Sequence, residues 1–366
     1  MTKPSARPVN GNVLVYFWFV LFWRYMSLSK SPWFKRGLTL LALAVVIYLF
    51  WPLIGEIRQA AHLFLSARWE WFPLILLIQV ISYGLLAWLN QLALLPFPGQ
   101  PLGLGRMAAL LTSMAFIEVA IPSAGASGVV LRARLLGKHG YTPEVSTFTL
   151  AVETFFLGVV WVGMAVLGIF YLLADGILKR GQLLSLAALG VLAMGSGWQF
   201  WRWLNDPLRS REGLLRLVHA WNKARQRWRW LSPLPRWEAA PALQRLEQFQ
   251  AGLVRLRAVP LWKFFLAAFG RVALDIATLG ACFLFFGHPL PPGTLLIGYS
   301  LILTTSTLAA LPGGLGMADL SIPGLFLKLG VDGAVALSAG LTYRLLAFWL
   351  VRFVGFFSWQ LLEGKS

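Results

Sequence analysis

The sequence predicts an all-α polytopic membrane protein, and three observations carry that prediction. Hydrophobic residues fill 58% of the 366 positions, while charged residues fill 13%, about half of the share in a soluble domain. The apolar residues form blocks long enough to cross a bilayer as helices. The net charge of +18 lies mostly outside those blocks. Because so little charge cannot cover a water-facing surface of this size, we exclude a soluble domain.

Six apolar segments, with their flanks, approach the roughly 20 residues that a transmembrane helix needs, and they are too long for core strands. They are Leu38–Trp51, Trp71–Leu95, Val145–Leu173, Leu183–Phe200, Leu261–Phe286 and Val335–Leu361. An earlier apolar run, Val13–Trp23, is followed by basic residues and not by a small-residue cleavage pattern, so we expect it to lie along the membrane interface.

Two further apolar regions are each interrupted by proline and glycine, at 122–128 and at 312–316. The short helices on either side are Arg106–Ile121 and Val129–Gly140 in the first region, and Leu295–Leu311 and Met317–Gly330 in the second. A break in a helix at membrane depth leaves backbone N–H and C=O groups that need protein or water as hydrogen-bond partners. We therefore predict about six full spans plus two re-entrant helical hairpins; the alternative, in which both hairpins cross fully, gives eight spans.

The two interrupted regions repeat one pattern at an offset of 190 positions. Pro122 corresponds to Pro312 and Gly140 to Gly330. When spans are counted from a cytoplasmic N-terminus, the first hairpin enters from the cytoplasm and the second from outside, so the repeat is predicted to be inverted. Inverted halves with helices broken at corresponding positions are typical of transporters.

Charge predicts the remaining organisation, because basic residues collect in cytoplasmic segments. Residues 1–37 form a basic cytoplasmic or interfacial segment, and 38–203 form the first transmembrane half with its hairpin near 106–140. Residues 204–258 are the one long polar stretch, and 259–366 form the second half with its hairpin near 295–330. Within 204–258 we predict an amphipathic helix on the inner membrane surface, a turn at Pro233 and Pro235, and a second short helix; a solvated linker is the alternative.

Ionisable side chains inside apolar segments cost roughly 2.5–3.5 kcal/mol each on insertion, so each needs a reason. The candidates are Glu118, Glu153, Arg271, Asp275, Asp319 and Arg344. Arg271 and Asp275 stand four residues apart on one helix face, where they can form an ion pair. Arg344 is the repeat equivalent of the neighbour of Glu153, and an arginine can bind a lipid phosphate through two nitrogens. The alternative is a structural pair of Arg344 with Glu153 or with Asp319.

The second half of the chain contains Pro312-Gly-Gly-Leu-Gly-Met-Ala-Asp319, a closing Gly330, and Tyr343-Arg344-Leu-Leu followed by Trp349. This motif resembles the lysylphosphatidylglycerol synthase/flippase transmembrane family. The first-half pattern of Pro122, Arg132, Gly140 and Glu153 is similar to that family's first half, although Val129 and Thr154 stand where the family often has an acid and an arginine. The resemblance runs from about Leu38 to Leu361 and implies a lipid translocase module without the soluble aminoacyl-transfer domain of some members.

The leading hypothesis is therefore a flippase or transporter that moves an anionic phospholipid or lipid-linked amphiphile across the bacterial cytoplasmic membrane, with both termini cytoplasmic. The predicted translocation site contains Arg344, Asp319, Glu153, Tyr343, Gly313, Gly314, Gly316, Pro122, Gly125, Arg132, Arg134 and Glu118. The expected partners are membrane lipids with anionic headgroups, and no nucleic acid. The alternatives are a membrane-embedded lipid-modifying enzyme and a scaffold that binds such an enzyme through 204–258.

No catalytic residue, metal or cofactor is predicted. The single cysteine, Cys282, lies inside an apolar span, and the four histidines are scattered, so the sequence does not suggest a metal centre. The glycines 313, 314 and 316 do not form a phosphate-binding Walker loop, because the lysine–serine or lysine–threonine ending and the preceding strand are absent. No nucleophile elbow is visible either.

Overall fold

The described part of the chain is built from helices and contains no strand. It comprises residues 64–121, 125–174, 206–227, 236–308, 324–327 and 329–363, with the single positions 195, 199 and 202, in a computed structural model. The helices are α1 (Phe72–Leu94), α2 (Leu104–Ala120), α3 (Ala126–Gly137), α4 (Pro143–Ala174), α5 (Pro207–Arg227), α6 (Ala239–Leu256), α7 (Leu261–Phe285), α8 (Pro292–Leu308), α9 (Gly333–Arg344) and α10 (Val351–Glu363). A π-helical turn, Leu345–Leu350, joins α9 to α10 in one continuous helical run.

Four helical segments of the described chain are long and apolar enough to cross a membrane. They are Trp69–Leu94, Pro143–Tyr171, Leu261–Phe285 and Gly333–Glu363. They confirm four of the six predicted spans, and the other two, Leu38–Trp51 and Leu183–Phe200, lie outside the described residues. Large apolar side chains on these helices are exposed, including Val80, Phe170 and Phe353 at 63–70% exposure. Such surface needs lipid around it, so the protein is an integral membrane protein.

The repeat predicted from the sequence recurs in the backbone hydrogen bonds. Gly140 and Gly330 both adopt the left-handed conformation, with φ of 83° and 85°. The residue after each glycine donates its N–H to a carbonyl five residues earlier, from Tyr141 to Leu136 at 3.2 Å and from Val331 to Phe326 at 2.9 Å. Both turns are the Schellman ending that glycine favours. The two copies of the repeat therefore share backbone geometry as well as the positions of proline and glycine.

The first helices of the two copies, α1 and α7, cross each other antiparallel. Gln79 Nε2 donates to Thr278 Oγ1 at 2.9 Å, and Ser82 Oγ donates to the Arg271 carbonyl at 3.2 Å. The partner number falls as the residue number rises, which is the order of antiparallel helices. The equivalent of Ser82 at the 190-residue offset is Val272, the neighbour of its contact Arg271. The helices that the repeat equates therefore contact each other near equivalent positions, in antiparallel orientation.

The first short helix of each interrupted region packs on the long helix of the other copy. On one side α2 lies against α10, where Thr112 Oγ1 is 3.3 Å from Ser358 Oγ. On the other side α8 lies against α4, and Gly168 permits the approach because a Cβ there would stand 2.9 Å from Ile297. At 12 residues, α3 is about 18 Å long, too short to cross a bilayer core of about 30 Å alone.

The basic segment folds as two helices, α5 and α6, which are attached to the transmembrane bundle. The Phe249 ring of α6 contacts the Phe148 ring of α4, with centroids 5.0 Å apart. Gln250 Nε2 donates to Ser210 Oγ at 2.7 Å and so links α6 to α5. These contacts favour the predicted amphipathic helices over a solvated linker.

Candidate functional site

The α1–α7 crossing carries a cluster of polar side chains centred on Asp275. Arg271 Nη1 lies 3.0 Å from Asp275 Oδ1 and donates to the Ser82 hydroxyl at 2.7 Å. The hydroxyls of Tyr299 and Tyr343 both donate to Asp275 Oδ2, at 2.7 and 3.3 Å. Helices α1, α7, α8 and α9 each supply one or more of these groups, so the cluster joins both copies of the repeat.

Tyr83 extends this cluster toward a second group of charges. Its ring centroid lies 5.0 Å from the Arg271 guanidinium carbon. The same side chain is within electrostatic reach of Arg352 and of Glu118. Tyr83 therefore lies near both the Asp275 cluster and the charged residue at the C-terminal end of α2.

The second group is a row of three side chains on the last helix. The guanidinium carbons of Arg344 and Arg352 lie 4.0 and 3.2 Å from the centroid of the Phe348 ring. These two distances place the guanidinium carbons no more than about 7 Å apart. At that separation they repel by about 2 kcal/mol at an effective dielectric constant of about 20.

The π-helical turn coincides with this row of side chains. It begins directly after Arg344 and ends two residues before Arg352. Arg352 Nη1 donates to the Phe348 carbonyl inside the turn at 2.8 Å. Single π-helical turns inside α-helices are frequent at functional sites, and here the turn sets the direction of both arginines.

Glu118 of the first interrupted region lies near the second group. It lies in the last turn of α2, within electrostatic reach of Arg352 and of Glu153. Its carboxylate crosses α3 at Gly128, where a Cβ would stand 2.4 Å from Glu118 Oε1. A side chain at position 128 would displace the carboxylate, so glycine is the residue that this approach requires.

A third group, around Arg132, ties α3 to its neighbours. Arg132 is 1% exposed, and its Nη1 lies 3.0 Å from Glu153 Oε2. Its Nη2 donates to Asn90 Oδ1 of α1 and to Thr149 Oγ1 of α4, the latter at 2.9 Å. Because a buried guanidinium is tolerated only with such partners, this group fixes the position of α3 against two spans.

The structure separates the sequence-predicted site residues into these groups. Arg271 and Asp275 are brought together in the first, Tyr343 joins them, and Arg344 belongs to the second with Glu118 nearby. Glu153 forms its ion pair with Arg132 and not with Arg344. Arg134 points away, 64% exposed and 3.2 Å from Glu363, and Gly125 caps the start of α3 with a φ of 87°. Asp319, Gly313, Gly314, Gly316 and Pro122 lie outside the described residues.

Several residues of the network were not predicted from the sequence. Arg352 is the most important of them. The sequence does point to it, because Arg344, Phe348 and Arg352 follow one another at intervals of four residues on one face of an apolar helix. Asn90, Ser82 and Tyr299 carry no comparable signal, because uncharged polar residues are common in membrane helices. Their roles depend on which helices meet.

Comparison with known proteins is consistent with this architecture. Over 82 residues the chain is 37% identical to a UPF0104 membrane protein of Methanothermobacter thermautotrophicus, a match that covers 22% of this chain and 25% of the archaeal protein. That alignment therefore spans a quarter of the relative's length and says nothing of the rest. The family model for the lysylphosphatidylglycerol synthase TM region matches residues 39–355, which is most of the chain. The protein belongs to the lysylphosphatidylglycerol synthase transmembrane-region family.

Proposed function

We propose that this protein moves an anionic phospholipid or a lipid-linked amphiphile across the bacterial cytoplasmic membrane. The observation that carries the proposal is the position of the ionisable network. It lies where the repeat-related helices α1 and α7 cross antiparallel, inside otherwise apolar segments. Charges in such segments are retained when they contact a substrate, a proton or water, and sites at the interface of inverted repeats are typical of transporters.

The proposed site has two sides. From the first copy, the α2–α3 hairpin supplies Glu118 and Gly125, and Arg132 holds the hairpin in place. From the second copy, Arg344 and Tyr343 reach the same region, and we propose that Asp319 and the glycines 313, 314 and 316 complete it. An arginine supports binding of a phosphate because its planar fork matches two phosphate oxygens.

The proposed movement is a rocking of one copy against the other around the α1–α7 crossing. That crossing is held by the Gln79–Thr278 and Ser82–Arg271 hydrogen bonds, and we place the axis of the proposed rotation beside them. Contacts near an axis change least when two bodies rotate about it. The α2–α10 and α8–α4 contacts lie farther away, so they are the surfaces that would exchange partners.

We further propose that both termini and the α5–α6 segment are cytoplasmic. Described arginines of α5 such as Arg209 and Arg216 are 74% and 84% exposed. Basic helices at a membrane surface attract anionic headgroups by about 1 kcal/mol per residue. The segment would thus gather anionic lipid near the cytoplasmic entrance of the site.

Reconstitution into liposomes tests this function against its two alternatives. Purified protein is incorporated into vesicles that contain a fluorescently labelled phosphatidylglycerol, and an impermeant reductant bleaches the outer leaflet. A transporter exposes inner-leaflet label without changing it chemically. A lipid-modifying enzyme changes the headgroup, which thin-layer chromatography of the extracted lipid detects, and a scaffold does neither.

A further inference from the structure

A cavity of about 410 Å³ lies between the membrane-spanning helix α4 and the two helices of the basic segment, α5 and α6. Ligand pockets commonly enclose roughly 300–1,000 Å³, so this volume is large enough for part of a small amphiphile. Among the described residues that line the cavity, Arg245 is charged and the others are apolar, such as Val152 of α4 and Leu246 of α6. The described lining includes no member of the three polar groups of the candidate site.

The cavity lies at the level where the spanning helix α7 begins. Phe156, which lines the cavity, stacks on Phe264 in the first turn of α7, with ring centroids 5.0 Å apart. The Phe156 ring also contacts Phe265 edge to face at 5.0 Å, and Phe265 is 41% exposed. Trp262 beside them is 61% exposed, and tryptophan is enriched at membrane–water interfaces. The cavity therefore adjoins lipid-facing surface near the edge of the hydrocarbon core.

The walls of the cavity are held by close packing, and their chemistry suits a hydrocarbon occupant. A Cβ at Gly252 of α6 would stand 2.8 Å from the Phe148 ring of α4, so the two helices are in direct contact beside the cavity. Water is disfavoured in an apolar cavity because it needs two to four polar partners. An empty apolar volume is destabilising, since its lining loses contacts. An acyl chain restores those contacts without polar partners.

The mouth of the cavity is positively charged. Arg245 both lines the cavity and is exposed, so its side chain stands at the opening. Among the residues that the structure describes, Arg245 forms no ion pair of 4.0 Å or less. Glu247 lies two positions away, on another face of α6. Helix α5 carries six basic residues against one acidic residue, and α6 carries two against one. Basic clusters on amphipathic helices attract anionic headgroups.

We propose that this cavity binds an acyl chain of an anionic phospholipid, and that Arg245 binds the phosphate of the same lipid at the mouth. The apolar walls do not suit a free phosphate, and the basic surroundings favour an anionic lipid over a zwitterionic one. The assignment needs the membrane location of the protein and does not depend on lipid movement. A bound lipid would link the basic segment to the transmembrane bundle, because α4, α5 and α6 all line the cavity.

Protection of a cysteine placed in the cavity tests the proposal at this site alone. The chain's one cysteine, Cys282, is buried, so Leu246→Cys on the cavity wall can be labelled selectively. The full-length protein is placed in phosphatidylcholine nanodiscs with a rising share of phosphatidylglycerol of the same chain length, and the rate of alkylation by N-ethylmaleimide is measured. Gln248→Cys, exposed on another side of α6, reports any general effect of the lipid on the reagent. Soluble glycerol phosphate supplies the anion without acyl chains.

Phosphatidylglycerol should slow alkylation of Leu246→Cys several-fold and leave Gln248→Cys unchanged, whereas glycerol phosphate should protect neither. Combining Arg245→Gln with Leu246→Cys should remove the protection by phosphatidylglycerol, because the headgroup loses its cation. Combining Arg211→Gln with Leu246→Cys is the matched control. It removes an exposed arginine of α5 that does not line the cavity, so protection should remain.

A second pair of variants checks that protection reflects a filled cavity. Ala242 lines the cavity, so Ala242→Trp should slow alkylation of Leu246→Cys without phosphatidylglycerol. Ala240 is exposed on the same helix and does not line the cavity, so Ala240→Trp should leave the rate unchanged.

Three results would overturn the assignment. They are an alkylation rate of Leu246→Cys that does not depend on phosphatidylglycerol, equal protection after Arg245→Gln, and protection by glycerol phosphate alone. A cysteine at position 246 that stays unreactive at every lipid composition gives the first of these results, and it would show that another part of the chain or an uncharged lipid fills the cavity. Protection as predicted in a protein that moves no lipid in vesicles would reject the proposed function and leave this site standing.

Discussion

Arg271 donates to the hydroxyl of Ser82 at 2.7 Å, and the two residues belong to helices that are copies of each other in the repeat. This hydrogen bond joins α1 to α7 where the two helices cross. The same arginine holds Asp275, which in turn accepts from tyrosines of α8 and α9. One ion pair at this crossing therefore connects four helices.

Removing one member of the Arg271–Asp275 pair should strongly destabilise the protein. Arg271→Leu leaves a buried carboxylate without its cation, and losing one partner of a buried pair typically costs about 3–5 kcal/mol. The double variant Arg271→Leu/Asp275→Leu should recover most of the loss, because neither charge remains. Thermal unfolding followed by size-exclusion chromatography measures both. A single variant as stable as the wild type would show that the pair is not buried as described.

Two arginines of α3 should behave differently although they are two residues apart. Arg132 is 1% exposed and holds Glu153, Asn90 and Thr149, so Arg132→Leu should cost about 3–5 kcal/mol. Arg134 is 64% exposed, and its contact with Glu363 is a surface pair, so Arg134→Leu should cost about 0–1 kcal/mol. Both variants replace arginine by leucine on the same helix, so they differ only in the surroundings of the side chain. Equal thermal midpoints for the two variants would contradict the description of the Arg132 group.

The two glycine turns should respond alike to the same substitution. Gly140→Ala and Gly330→Ala each place a Cβ on backbone with positive φ, at about 1 kcal/mol or more. Gly84→Ala is the matched control, because a Cβ there meets nothing within 4 Å and the position is helical. The control should unfold at or slightly above the wild-type temperature. If one turn tolerates alanine and the other does not, the two copies are not equivalent at this point.

The proposed topology can be tested by cysteine labelling. Cys282 is the chain's one cysteine and is buried, so an introduced cysteine can be labelled selectively. His288→Cys, between α7 and α8, should react with an impermeant maleimide on intact cells. Arg211→Cys, on α5, should react only after the membrane is permeabilised. Both positions are exposed. Labelling of Arg211→Cys in intact cells would reverse the orientation that the basic residues predict.

The spans and the repeat could be predicted from the sequence because they depend on local composition. Four long apolar blocks became helices within two or three residues of the predicted bounds, since hydropathy and proline placement act along the chain itself. The offset of 190 residues was visible in glycine and proline, the residues that positive φ and helix breaks demand.

The side-chain partners could not be predicted in the same way. Arg132 and Glu153 are 21 residues apart on different helices, so their pairing depends on how α3 docks against α4. Glu153 was predicted near Arg344 from the repeat alone, and its described partner is another arginine. The π-helical turn at Leu345–Leu350 shifts the register of the last helix, and nothing in the apolar sequence LLAFWL specifies it.

Lipid movement in vesicles tests the central claim most directly, with Arg344→Ala compared with wild type and Arg68→Ala at matched reconstitution. Arg344 is 8% exposed beside Phe348, whereas Arg68 is exposed and outside the network. Wild type and Arg68→Ala should expose the inner-leaflet phosphatidylglycerol label to the reductant. Arg344→Ala should behave like protein-free vesicles while remaining folded in the membrane, and Arg344→Lys should be impaired. Wild-type vesicles that bleach no further than protein-free ones, or an Arg344→Ala variant with wild-type rates, would contradict the account.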